Sequence, residues 1–184
     1  MKKTIGYVVL FLLLVVAGFF TYKVFVPSAN FEIFYRMLRV GRAGEINLYF
    51  TQGEMIVPVV RKAPRLRSVD EKVKNVMTLL LQGPDEAEKA AGYDSALPQE
   101  AQLLSVFMEE DTVLLNFSKQ IDEGGGTEMM LARLRQIVYT ATQFSGVNKV
   151  RFLIDGQPIK YFSSEGLTEV ERPVGRADLE MEEK

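Results

Sequence analysis

Residues 103–118, LLSVFMEEDTVLLNFS, decide how the rest of the chain is read. Val113, Leu115 and Phe117 fall on one face of an alternating run, the period of a strand with one side in a core. Glu110 and Asp111 interrupt two apolar runs with the composition of a solvated turn, so the stretch predicts a β-hairpin. Immediately downstream comes DEGGGTEMML (122–131), where Thr127 is a candidate N-cap. Met130, Leu134, Ile137, Val138 and Ala141 then recur at helical spacing, and Gly146 closes the helix. Two strands followed by a helix is the unit that emerges.

The same order appears upstream. Ile46, Leu48 and Phe50 alternate with polar neighbours, and Gln52-Gly53 predicts a turn into MIVPVVRK (55–62). Pro58 removes a ladder donor there and marks an edge strand or bulge. Ser68 and Glu71 fit a capping box, and Val73, Val76, Met77, Leu80 and Leu81 form one apolar stripe. Gly83-Pro84 stops that helix. DEAEKAAGYDSALPQEA (85–101) reads as a surface excursion with a short helical turn ordered by Tyr93 and Leu97. Beyond the second helix, Val150, Phe152 and Ile154 alternate into Asp155-Gly156, a type I′ turn signal, and the chain returns through PIKYF. The order ββα-ββα-ββ predicts an α+β domain over 45–166, with two helices packed on a mainly antiparallel sheet. Residues 167–184 are acidic and poor in apolar residues, which predicts a disordered tail.

The N-terminus is of another kind. Thr4 to Tyr22 carries no charge, and at about 1.5 Å per residue its helix approaches the roughly 30 Å hydrocarbon thickness. Residues 1–23 are therefore expected to be a transmembrane helix that contacts the membrane through 4–22. Lys2 and Lys3 favour a cytoplasmic N-terminus and an extracytoplasmic domain, against which Arg36, Arg39 and Arg42 pull. A cleaved signal peptide is the rival, but its apolar region would be shorter and end in a small-x-small site. Residues 24–44 form a juxtamembrane stalk or linker.

The 184 residues contain no Cys and no His. That excludes Cys-based zinc sites, thiol catalysis, Ser-His-Asp triads and His general bases. The near-balanced net charge of −2 argues against nucleic acid. It is unevenly spread: 13 basic against 8 acidic residues in 1–92, and 9 against 16 in 93–184. Such polarity permits head-to-tail contact between copies.

Gly124, Gly125 and Gly126 raise a phosphate-binding reading, since a glycine loop before a helix can cradle an anion. A P-loop needs a Lys, and a dinucleotide fingerprint needs G-x-G-x-x-G. Neither is present, and Asp122, Glu123 and Glu128 repel an anion. The glycines read as a hinge, and no cofactor is expected. Glu109, Glu110 and Asp111 occupy a convex turn tip, the wrong shape for a carboxylate pair across a cleft. Arg61, Lys62, Arg65 and Arg67 form a basic run suited to an anionic lipid, a wall polymer or an acidic neighbour. These seven charged residues are the candidate interaction surface; no metal or catalytic residue is predicted.

Several pieces together resemble the GerMN domain of the sporulation and spore-germination GerM family. They are LYF (48–50), IVPVVRKAPR (56–65), LLLQGP (79–84), SALP (95–98), LLSV (103–106), LNFS (115–118) and QIVYTATQFSGVNKVRFLIDGQPI (136–159). The resemblance implies a non-enzymatic extracytoplasmic module, similar to the ring-building folds of secretion and sporulation channels, with envelope or sporulation proteins as partners and self-association among the options. The chain differs from the founding type in having one such domain and a membrane helix in place of a lipid-modified Cys. A cell-wall glycan or small-ligand binding domain, using Tyr49, Tyr93 or Tyr161 in a groove, is the alternative; an unrecognised hydrolase comes after it.

Overall fold

A computed structural model describes residues 44–162 and 169–180. The expected membrane anchor and all but the last residue of the stalk lie outside these. Among the described residues no helix is long and apolar enough to cross a membrane.

The chain begins with an antiparallel hairpin, β1 (Glu45–Gln52) and β2 (Met55–Lys62), turning at Gly53-Glu54 with Gly53 in the left-handed region. Pro58 pairs opposite Tyr49 in this two-stranded sheet, where every strand is an edge and a missing donor is tolerated. Helix α1 (Val69–Leu81) starts at the expected capping box: Ser68 accepts from the Glu71 N–H, and Glu71 accepts from the Ser68 N–H. It buries Val73, Val76, Met77 and Leu80. Gly83, with φ +76°, ends it. The excursion contains α2 (Glu86–Ala90), capped by a second box between Asp85 and Glu88, and it buries Tyr93 and Leu97 as expected.

The quoted stretch forms the hairpin β3 (Leu103–Glu109) and β4 (Thr112–Phe117), with Glu110 at φ +54° in the turn and Val113, Leu115 and Phe117 wholly buried. A 3₁₀ turn (Lys119–Asp122) leads to α3 (Thr127–Ala141), whose five expected stripe residues are all buried. The N-cap is Gly126 rather than Thr127, because Gly126 is still extended (φ −84°, ψ −174°) while Thr127 is already helical. Strand β5 (Lys149–Ile154) follows, then the Asp155-Gly156 turn with both φ positive, and β6 (Gln157–Pro158).

Three features differ from the expectation. The strands form two sheets, β1-β2 alone and β3-β4-β5-β6 with β7 (Val174–Gly175) also on β5. Strand β5 runs parallel to β4, because the 15-residue α3 carries the chain back to the end where β4 began. Residues 169–180 are ordered into the fold where a disordered tail was expected. Val170, Val174 and Leu179 are buried, β7 adds to the sheet and α4 (Arg176–Glu180) packs on α3. Three well-placed apolar residues suffice to seat a segment whose overall composition is polar. The core lies between the sheets and the two long helices, where Phe152 meets Phe162 edge to face at 5.1 Å.

Candidate interaction surfaces

The basic run divides in two. Arg61, at the end of β2, is taken up by the fold: its guanidinium pairs with the Glu88 carboxylate, donates to the Gly83 carbonyl at 3.1 Å and lies 5.5 Å from the centre of the Phe50 ring. Glu88 meanwhile caps α2 by accepting the Asp85 N–H, so this pair ties the hairpin to the excursion. Lys62, Arg65 and Arg67 are exposed on the connection to α1. The base of that connection is held by the Ala63 N–H, which donates to the Gly44 carbonyl at 2.9 Å. A groove of about 400 Å³ opens there, lined by Ile46, Pro64, Arg65, Leu66, Lys72 and Phe144 among others.

The acidic turn also divides. Glu109 and Glu110 are exposed. The Asp111 carboxylate accepts from Asn148 Nδ2 at 3.0 Å and from Thr112 Oγ1 at 3.2 Å, and its carbonyl receives the N–H groups of Asn148 and Lys149. The Asn148 hydrogen bond, foremost, holds its carboxyl below the usual range. Asp111 is a joint between the hairpin tip and the start of β5.

Gly124 and Gly125 both adopt left-handed backbone, at φ +70° and +95°. Their loop is gripped by Arg133, one turn and a half into α3 and only 2% exposed. Its Nε donates to the Ala96 carbonyl (2.9 Å), one terminal nitrogen to Ile121 (2.6 Å) and Glu123 (3.1 Å), and the other to Gly124 (3.2 Å). Burial pushes the guanidinium pKa down, with the Asp122 charge opposing; burial pushes Asp122 up, with Arg133 opposing. The carbonyls of this stretch thus hold a cation of the chain itself.

Sequence reasoning missed the polar stripe of α3. Gln136, Thr140 and Gln143 stand at i, i+4 and i+7, and the first two are wholly buried. They hydrogen-bond the outer backbone edge of β1. Gln143 accepts from the Asn47 N–H and donates to the Asn47 carbonyl, both at 2.8 Å. Thr140 accepts from the Tyr49 N–H at 3.2 Å, and Gln136 donates to the Tyr49 carbonyl at 2.8 Å. Thr51 exchanges both bonds with Asp94. Every outward backbone group of residues 47, 49 and 51 is thereby satisfied. The available signal was the lack of charge from Gln136 to Asn148, since a solvated helix face would carry Lys or Glu. Arg176 of α4 completes this side. It lies 5.4 Å and 5.2 Å from the ring centres of Tyr49 and Tyr139, which meet edge to face, and it donates to Thr142 Oγ1 and the Tyr139 carbonyl.

A second, larger groove of about 720 Å³ runs between the β1-β2 turn, residues 94–96 and the first half of α3. Glu54, Asp94 and Glu128 line it with Ile56 and Met129, and Arg135 stands at one side. The three carboxylates come from three separate segments, which is why no motif announced them. They are spread out: among the described residues no cluster of carboxylates is arranged to hold a metal ion. Of the three tyrosines in the alternative reading, Tyr49 and Tyr93 are buried in the core and Tyr161 is exposed.

The profile of the Germane family, described as sporulation and spore germination, matches residues 47–160, most of the described fold. The chain belongs to the Germane family. The first GerMN domain of the Bacillus subtilis sporulation protein GerM has the same fold, with a TM-score of 0.57 at 21% identity over 73% of this chain and 98% of that one. The tandem GerMN domains of the same protein match equally over 46% of their length. A candidate lipoprotein from Clostridium perfringens matches with a TM-score of 0.55 at 23% identity, over 73% of this chain and 88% of that one. No curated protein matches the chain. The Germane fold accounts for the order of elements, and the resemblance seen in the sequence is that of the family itself.

Proposed function

We propose that this Germane protein is a non-enzymatic, membrane-anchored extracytoplasmic module that docks on an envelope assembly during sporulation or spore germination. The observation that carries the reading is the division of labour among its charged residues. Arg61, Arg133 and Arg176 are committed to internal carbonyls, rings and Glu88. Lys62, Arg65, Arg67, Glu54, Asp94 and Glu128 stay exposed beside two open grooves. Fixed charge on open grooves recognises surfaces, and it favours steering and register. The apolar run Thr4–Tyr22 supports anchoring, and the candidate lipoprotein with the same fold is consistent with a membrane-associated setting. Gly124–Gly126 serve as a hinge, held closed by the Arg133 hydrogen bonds to the loop carbonyls.

The test is photo-crosslinking of the full chain in its native membrane, with the reactive group at Lys62 and, separately, at Glu54. Capture of one or a few defined envelope proteins is the expected result. Failure to capture any protein at either position, with the chain present and folded, would sink the docking role.

A further inference from the structure

We propose that one occupant of the acidic groove is a second copy of this chain, which inserts its Ala63–Arg67 connection head to tail. The proposal deepens the docking reading above and rests on it.

The two surfaces lie at opposite ends of the β1-β2 hairpin. In the β1-β2 register Glu45 pairs with Lys62 at one end and Gln52 with Met55 at the other. The basic connection and its groove take residues 44–46 and 63–66 from the open end; the acidic groove takes 51, 53, 54 and 56 from the turn end. Seven strand steps at about 3.3 Å separate them by about 23 Å. Helix α3 runs alongside in the reverse sense, contributing Glu128 and Met129 to the acidic groove, while Phe144, just past its end, lines the other. Each copy therefore offers a plug at one pole and a socket at the other.

The chemistry of the poles is complementary. Lys62, Arg65 and Arg67 meet Glu54, Asp94 and Glu128, three cations against three carboxylates, all exposed. Pro64 and Leu66 supply apolar contact for Ile56 and for Met129, which is 48% exposed. Pro64 fixes its own φ, and the bond from Ala63 to Gly44 ties down the base of the connection, so less freedom is lost on docking. Each pole also carries one opposing charge, Glu45 at the basic groove and Arg135 at the acidic one. Arg135 donates to the Leu179 carbonyl, and Glu71 folds back on the N–H groups of Arg67 and Ser68, so the basic connection still outweighs its acidic neighbours. The rival mode, strand addition at β1, is blocked because that edge is already bonded to α3 and Asp94. A contact between unlike surfaces is heterologous, so it closes into a ring or continues as a filament.

The absence of cysteine makes the test clean. The full chain carrying both Arg65→Cys and Glu128→Cys, oxidised in its membrane, should give a ladder of dimers, trimers and higher species. A mixture of the two single variants should stop at dimers, and each single variant alone should stay monomeric. In that double-cysteine chain, reversing charge at Lys62 and Arg67 to Glu should cut the ladder about tenfold or more, and Glu54→Lys with Asp94→Lys in the same chain should restore it. No ladder in the double variant, or self-crosslinking of either single variant as strong as the mixed pair, overturns head-to-tail docking. Foreign envelope proteins captured at Lys62 or Glu54 with no ladder would overturn self-docking while leaving the docking role standing.

Discussion

Replacing Arg133 by Met keeps the bulk of the side chain and removes every donor that holds the glycine loop. The four acceptor carbonyls then differ in their access to water. Glu123 and Gly124 are exposed and can be rehydrated, whereas Ile121 is wholly buried and Ala96 is partly so. Two buried acceptors left unmet cost about 1–3 kcal/mol each. Part of this returns because a desolvated cation is no longer kept inside, so a net loss of about 3 kcal/mol is expected. For a fold of this size that is a fall in Tm of about 10 °C. The chain has no Trp, so urea unfolding is best followed by far-UV circular dichroism, where the midpoint should fall with unchanged slope. Arg133→Lys should lie in between, keeping the charge but losing the fork. A loss below about 1 kcal/mol for Arg133→Met would show that the carbonyl grip contributes little, and a fully native Arg133→Lys would show that fork geometry is irrelevant.

Three further outcomes are expected. Gly125→Ala places a Cβ 2.7 Å from Met129 Sδ and 3.0 Å from its Cβ and Cγ, at φ +95°. The exposed thioether can move aside, but the tight approach to Met129 Cβ and the backbone strain stay, giving a loss of about 1–2 kcal/mol in thermal unfolding and no change in any nucleotide affinity. Gln136→Leu strips the Tyr49 carbonyl and the Ala96 N–H of their partners, which should cost about 2–4 kcal/mol in urea unfolding. Asp122 has a folded pKa raised by burial. Its contribution is therefore fullest below the unfolded carboxylate pKa and is lost as pH rises through the higher folded value. Asp122→Asn should accordingly raise the unfolding midpoint at neutral pH, with the gain fading toward acid; a constant gain at all pH values would reject the ionisation argument.

Local signals carried the elements well. The Ser68–Glu71 box, the Gly83 stop, the Asp155-Gly156 turn and the Val113–Phe117 face depend on neighbours within a few residues, and such chemistry is written in the sequence. The parallel pairing of β4 with β5 was hidden because it depends on where a 15-residue helix delivers the chain. The split into two sheets was hidden because Gln136 and Thr140 of α3, with Gln143 just past its end, do the work of a neighbouring strand. Of the candidate interaction residues, exposure at Lys62, Arg65, Arg67, Glu109 and Glu110 was readable from their turn and linker settings. The commitments of Arg61 and Asp111 were not, since Glu88 and Asn148 lie 27 and 37 residues away.

The amide stripe of α3 has one more consequence. A sheet edge made of bare backbone is anonymous: any extended segment can take the place of its neighbour. Here the neighbour is addressed by side chains, so only a helix with amide and hydroxyl groups at that spacing can occupy the seat. Were copies to stand close together, a hairpin with such a keyed edge would not trade its β1 neighbour with the next molecule. Under the proposed head-to-tail docking, copies would touch through their poles and still keep their own folds.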